Sequence, residues 1–119
     1  MIQSADSLNA LRDALRRFAA ARDWQQFHTP KNLAMALSVE AAELLEHFQW
    51  LTTEQSARLD AKTKRAVADE IADVLLYLTR LADVAGIDPL AAAKRKMAIN
   101  ARKYPIRRAR GNARKYNAK

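Results

Sequence analysis

LSVEAAELLEHF, residues 37–48, and VADEIADVLLYL, residues 67–78, carry one pattern twice. Leu37 aligns with Val67, Glu40 with Glu70, Glu43 with Asp73, Leu44 with Val74 and Phe48 with Leu78. The apolar residues recur at three- and four-residue steps, the period of a helix with one covered face. Acids three apart lie about 60° apart around a helix, so each pair borders the core side of its segment. If the two helices pack as antiparallel neighbours, four carboxylates converge. Like charges repel and burial penalises each one, so a proton or a cation must stand among them. Oxygen ligands suit a hard divalent ion such as Mg²⁺. A single acid-x-x-acid pair is commonly a solvated face, and it is the equivalent register of the two pairs that points to a site. Glu46 and Asp69 rotate away from the shared face; Glu46 is expected either to support the ligands from behind or to stand in solvent, and Asp69 to stand in solvent.

Outward from these segments the chain reads as helix throughout. Ser4, Asp6 and Ser7 offer caps for a first helix with Leu8, Leu11, Leu15 and Phe18 on its apolar face, running to about Arg22. DWQQFHTP, residues 23–30, breaks the pattern. Thr29 caps a second helix with Pro30 at its first position, ending near Trp50. Thr53 is the expected cap of a short turn, and the stretch around 60–66 reads as polar and exposed. A third helix carries Val67, Ile71, Val74, Leu78 and Leu81 and stops at Gly86, a residue suited to a left-handed helix end. Asp88-Pro89 opens a fourth, carrying Leu90, Ala93 and Met97 and stopped by Pro105. No β-type alternation of useful length occurs. Four main helices with short connections predict an all-α four-helix bundle.

Composition agrees. The chain has 119 residues, 2 glycines, 3 prolines and no cysteine, which fits one helical domain without disulfide or thiolate metal chemistry. No apolar run approaches the ~20 residues of a membrane span. No signal-peptide core stands at the N-terminus, so the expected location is cytoplasmic. The net charge of +8 is local: residues 102–119 hold 8 basic residues and no acid, and the rest balances at 13 of each sign. The expected organisation is a domain over 1–105 and a basic tail over 106–119. A nucleic-acid-binding module using that tail is the alternative function, but no known reading element accompanies it. A di-iron bundle needs Glu-x-x-His, and His28 and His47 are preceded at that spacing by Gln25 and Leu44. His47 is expected to hydrogen-bond a carboxylate.

Glu40-x-x-Glu43 followed by Glu70-x-x-Asp73 resembles the acidic signature of the MazG-like all-α nucleoside triphosphate pyrophosphohydrolases. The likeness covers about residues 8–105. RDWQQFHTPKNLAMALSVEAAELLEHFQW at 22–50 and KMAINARKYP at 96–105 are similar to its dCTP pyrophosphatase branch. The resemblance implies Mg²⁺-dependent hydrolysis of a nucleoside triphosphate, dCTP or a modified dCTP among the candidates, to monophosphate and pyrophosphate. It implies Glu40, Glu43, Glu70 and Asp73 as metal ligands, with Glu43 also taking the proton of the attacking water. Lys96, Asn100, Lys103 and Tyr104 would meet the phosphates. Trp24, His28, Asn32, Trp50 and Tyr77 would meet the base or stand beside it. Where dCTP-cleaving members carry a histidine in the first helix, this chain has Leu15, which sets strict dCTP preference in doubt. The family also implies a homodimer or homotetramer with sites at subunit interfaces.

Overall fold

A computed structural model describes residues 7–117. It contains α1 (Leu8–Ala21), a 3-10 turn (Gln25–Phe27), α2 (Pro30–Glu46), α3 (Thr53–Ser56), α4 (Ala61–Val84), α5 (Pro89–Lys103) and α6 (Ile106–Ala109). No strand occurs among the described residues, so the all-α expectation holds. Contacts divide the chain between Ile87 and Asp88 into two compact units.

In the first unit α2 and α4 pack extensively along each other, and α1 lies against α4. Ala14, Ala19, Leu33, Val67 and Ala82 are the buried apolar residues. Alanine at three of these five positions lets the helices approach closely. Each helix start has a side-chain cap. Ser7 accepts from the Ala10 amide, Thr29 from Asn32, Thr52 from Gln55 and Asp60 from Thr63. Of the three expected caps of α1, Ser7 is the one used; Ser4 and Asp6 lie outside the described residues.

Four local expectations need correcting. The cap before α3 is Thr52 rather than Thr53, because Gln55 returns a hydrogen bond to the Thr52 amide and completes a capping box. The polar stretch 60–66 is mostly exposed as expected, but α4 already begins within it at Ala61 and does not follow it. α2 ends at Glu46, short of Trp50, as the His47 and Phe48 amides turn to carbonyls three residues back. Ile71 and Leu78 are 53% and 45% exposed on the single chain, because α4 has two apolar faces and the one holding Val67, Val74 and Leu81 is turned inward.

Two helix ends use left-handed residues. Gly86 has φ 72°, with the Ile87 amide donating to the Ala82 carbonyl at 2.8 Å. Asp23 has φ 53°, with the Trp24 amide donating to the Ala19 carbonyl at 2.9 Å and the Asp23 amide to Ala20 at 3.1 Å. Both are six-to-one terminators. The one at Asp23 stops α1 and sets the Trp24 ring edge-on to Phe18, with ring centres 5.7 Å apart.

In the second unit Asp88 caps α5 by accepting from the Leu90 and Ala91 amides. The stripe expected to be covered is open here, with Leu90 49% and Met97 73% exposed. Past Tyr104 and Pro105 the basic segment turns through α6 and returns. Tyr116 packs edge-on to Tyr104, with ring centres 6.1 Å apart, and Lys103 Nζ lies 4.7 Å from the centre of its ring.

Candidate active site

The α2–α4 contact brings three of the four acids, Glu40, Glu43 and Glu70, into one cluster, which does not include Asp73. Carboxylate oxygens of Glu40, Glu43 and Glu70 all lie within 4.8 Å of one another. Each of these side chains is half-buried. Oε2 of Glu40 and Oε2 of Glu70 are buried and have no hydrogen-bond partner. Glu40 is pushed up to about 7, first by the Glu70 carboxyl beside it, then by burial, then by Glu43 and the charge of Asp73. Two carboxylate oxygens facing each other without a donor can be satisfied in two ways, by a proton between them or by a cation. The donor set is all oxygen and strongly negative, which fits a hard divalent ion and not a soft one. Glu46 and Asp69 are exposed, as their helical positions predict.

Beside the acids is a cavity of about 150 Å³, whose walls include Leu15, Trp24, His28, Asp73, Tyr77 and Arg80. Asp73, from the second acid pair, forms part of the wall. The side chains come from α1, the turn after it and α4. Three residues singled out from sequence as base contacts, Trp24, His28 and Tyr77, thus share one hollow, and Leu15 is in it. Trp24 and His28 meet edge to face with ring centres 6.2 Å apart.

Other candidates lie elsewhere. The Asn32 amide donates to the Phe27 carbonyl at 3.0 Å, tying the 3-10 turn to α2. Trp50 is 87% exposed in the turn after α2 and does not line the cavity. His47 makes no hydrogen bond to a carboxylate among the described residues; it caps the end of α2 and lines a separate cleft with Leu51, Glu54 and Arg58. In the second unit Lys96 and Asn100 are exposed one turn apart on α5. Lys103 and Tyr104 line a cavity of about 340 Å³ together with Arg108, Arg114, Lys115 and Tyr116.

Sequence reading missed Arg80. It is 8% exposed, lines the aromatic cavity, donates from Nε to His28 Nδ1 at 3.0 Å and reaches Asp83 Oδ2 at 3.5 Å. Asp83 in turn accepts from Arg16 Nε at 2.7 Å. The hydrogen bonds from Arg16 hold the Asp83 carboxyl below its usual range against the opposing effect of burial, and the charges of Arg16, Arg80 and Arg12 add to this. The available signal was spacing: Arg80 follows Asp73 by seven and Tyr77 by three, on one helix face.

These features have counterparts among known proteins. The MazG-like family profile matches residues 35–118. The chain therefore belongs to the MazG-like family. It is 42% identical over 112 residues to dCTP pyrophosphatase 1 of Homo sapiens, covering 92% of this chain and 66% of that protein. It is 40% identical over 115 residues to dCTP pyrophosphatase 1 of Bos taurus, covering 95% and 68%. The chain thus spans about two thirds of the length of these relatives. A solved structure of a pyrophosphatase from Archaeoglobus fulgidus DSM 4304 superposes with a TM-score of 0.78 at 50% identity, covering 82% of this chain and 92% of that one.

Proposed function

We propose that this chain is a Mg²⁺-dependent nucleoside triphosphate pyrophosphohydrolase of nucleotide pools, releasing pyrophosphate and a monophosphate, with dCTP or a modified dCTP among its substrates. The observation that carries this is the pair of buried, unpartnered oxygens on Glu40 and Glu70. They stand in a carboxylate cluster next to an aromatic cavity that Asp73 helps to wall. The names of the relatives support the same reaction. Glu40, Glu43, Glu70 and Asp73 would hold the ion, which when bound supplies charge neutralisation for the leaving pyrophosphate. Glu43 takes a proton from the water that forms the new bond to the α-phosphorus as the bond to the bridging oxygen breaks. Trp24, His28 and Tyr77 line the hollow for the base, and Asn32 holds the helix start beneath them. Lys96, Asn100, Lys103 and Tyr104 on and just past α5 bind the phosphates. Residues 1–105 form the hydrolytic domain and 106–119 a basic extension.

Homo-oligomerisation belongs to the same proposal. Ile71, Leu75 and Leu78 share one face of α4 and are 53%, 41% and 45% exposed on the single chain. Trp50, 87% exposed, fits a base wall that a second copy completes. Among the described residues no helix is long and apolar enough to cross a membrane, and the proposed location is cytoplasmic. The test is a pyrophosphate-release screen over natural and modified dNTPs and NTPs with Mg²⁺, using Glu70→Gln as the blank. Release above the blank for at least one nucleotide supports the reading; none above it overturns it.

A second reading, nucleic-acid binding through the tail, is favoured by one observation. The cavity past α5 gathers Lys103, Arg108, Arg114 and Lys115, and none of them has an acidic partner among the described residues. Deleting residues 107–119 separates the two: loss of single-stranded DNA retention with intact hydrolysis assigns the tail a role apart from the chemistry.

A further inference from the structure

His28 is gripped from one side by a group that is always a donor. A guanidinium keeps its protons at every accessible pH. Its Nε stands 3.0 Å from His28 Nδ1, so Nδ1 must be the ring's acceptor. The proton of the neutral ring then lies on Nε2, and no residue described here hydrogen-bonds that nitrogen. Trp24 packs against the same ring at 66°, limiting its rotation. Arg80 itself is fixed: 8% exposed, anchored on Asp83, which Arg16 on α1 clamps in turn.

We infer that Arg80 is a positioning residue that holds His28 as a neutral Nε2–H donor on the cavity wall, so that the cavity selects a nucleobase presenting a ring-nitrogen or carbonyl acceptor there. Burial first, and then the charge of Arg80, lower the affinity of His28 for a second proton, which agrees with the geometry. The groups around the ring decide the sign. Arg80 on α4 disfavours imidazolium, Trp24 contributes no charge, and Asp73 and Tyr77 are the other titratable side chains on the cavity wall. A site that aims a fixed donor at a base edge discriminates strongly, because a base lacking the acceptor leaves that donor unpaired. The apolar Leu15 on the opposing helix adds no polar contact, which leaves His28 as the wall's one histidine for reading the edge. This inference rests on the proposed hydrolase reading for its ligand, but its positioning half does not.

Two measurements test it. Nitrogen-15 NMR of histidine-labelled full chain, without nucleotide and across pH 6–8, reads the ring directly. The expected result is a pyridine-like Nδ1 and a pyrrole-like Nε2 for His28, changing in Arg80→Met to a tautomer mixture that takes up a second proton more readily. A pyrrole-like Nδ1 or an imidazolium at pH 7.5 in the parent chain would overturn the inference whether or not any nucleotide is cleaved. Steady-state kinetics then compare dCTP with 3-deaza-dCTP, which lacks the ring acceptor, and with a 2-thio analogue, which weakens the carbonyl one. Arg80→Met is expected to raise KM for the better substrate about tenfold, shrink its advantage over the analogue and leave kcat within about twofold. His28→Gln, which keeps an N–H near the Nε2 position, should retain most of the discrimination, and His28→Phe should lose it. Should Arg80→Met fail to fold, the two His28 variants carry the test, and equal discrimination by Gln and Phe would sink the inference. Failure of the chain to cleave any nucleotide overturns the hydrolase reading and with it the base selection, while the NMR result still decides the role of Arg80.

Discussion

Two of the carboxylates on α4, Glu70 and Asp83, lie about 20 Å apart along its axis, and the chain treats them in opposite ways. At Asp83 two guanidinium groups converge, one from α1 and one from its own helix, and the carboxyl is held low. At Glu70 the neighbours are more carboxylates, oxygens face one another without donors, and Glu40 opposite is pushed up to about 7. The sequence has cations to spare, with 21 basic residues against 13 acidic, so the lack of a partner at Glu40 and Glu70 is not a shortage of charge. A structural carboxylate is compensated by the fold. A carboxylate left uncompensated among others points to a ligand from outside.

The comparison can be broken most sharply by activity. Glu40→Ala and Asp73→Ala should each lose more than about 100-fold in Mg²⁺-dependent pyrophosphate release, beyond what loss of an outer supporting group costs. Asp83→Ala should keep kcat within about twofold. Retained turnover in the first two variants would end the metal assignment. Stability should move the other way. Asp83→Ala leaves Arg80 buried without its carboxylate and is expected to cost on the order of 1–3 kcal/mol in denaturant unfolding. Glu40→Gln should raise the melting temperature of the metal-free chain, since it removes one charge from a self-repelling group.

The pH dependence separates the two ends of α4 again. Glu40 binds its proton more tightly folded than unfolded, so the native state holds the extra proton between about 4.5 and about 7. In that window metal-free stability falls as pH rises, and stabilisation by Mg²⁺ grows over the same range as the proton gives way to the ion. Asp83 runs opposite: its contribution is present above the usual aspartate range and is lost as pH falls through its lowered value. Thermal melts from pH 4 to 8 with EDTA or Mg²⁺, on the parent chain and Glu40→Gln, measure both limbs. A rising limb for the metal-free chain across pH 4.5–7 would contradict the Glu40 assignment. The smallest expected effect is on assembly. Leu75→Glu should lower the mass seen by light scattering while the metal-free melt changes little, since Leu75 is 41% exposed on the single chain.

The helices were legible because their apolar residues keep a 3.6-residue period and their starts carry caps and prolines. Asp60 was missed as a cap because the residues after it, Ala61 to Ala66, are small or polar and carry no apolar period to mark a helix. The acid cluster was legible because the same spacing occurs on both helices, and repetition survives without coordinates. Arg80 was not read as part of the site, since one of two arginines in a 24-residue helix reads as a solvated charge. Its meaning depends on His28, 52 residues away, and on Arg16, joined through Asp83 across 67 residues. No local pattern encodes such distances. Trp50 shows the converse, for its aromatic character suggested a wall, while on one chain it stands in water.

The left-handed residue at Asp23 gives the molecule an adjustable joint. Trp24 takes its place from a helix terminator and not from the packed interior, and a terminator can change type by one residue while α1 and α4 keep their contacts. The aromatic side of the hollow can therefore be retuned by editing a surface turn. The acids themselves stand on α2 and α4, which that turn does not enter.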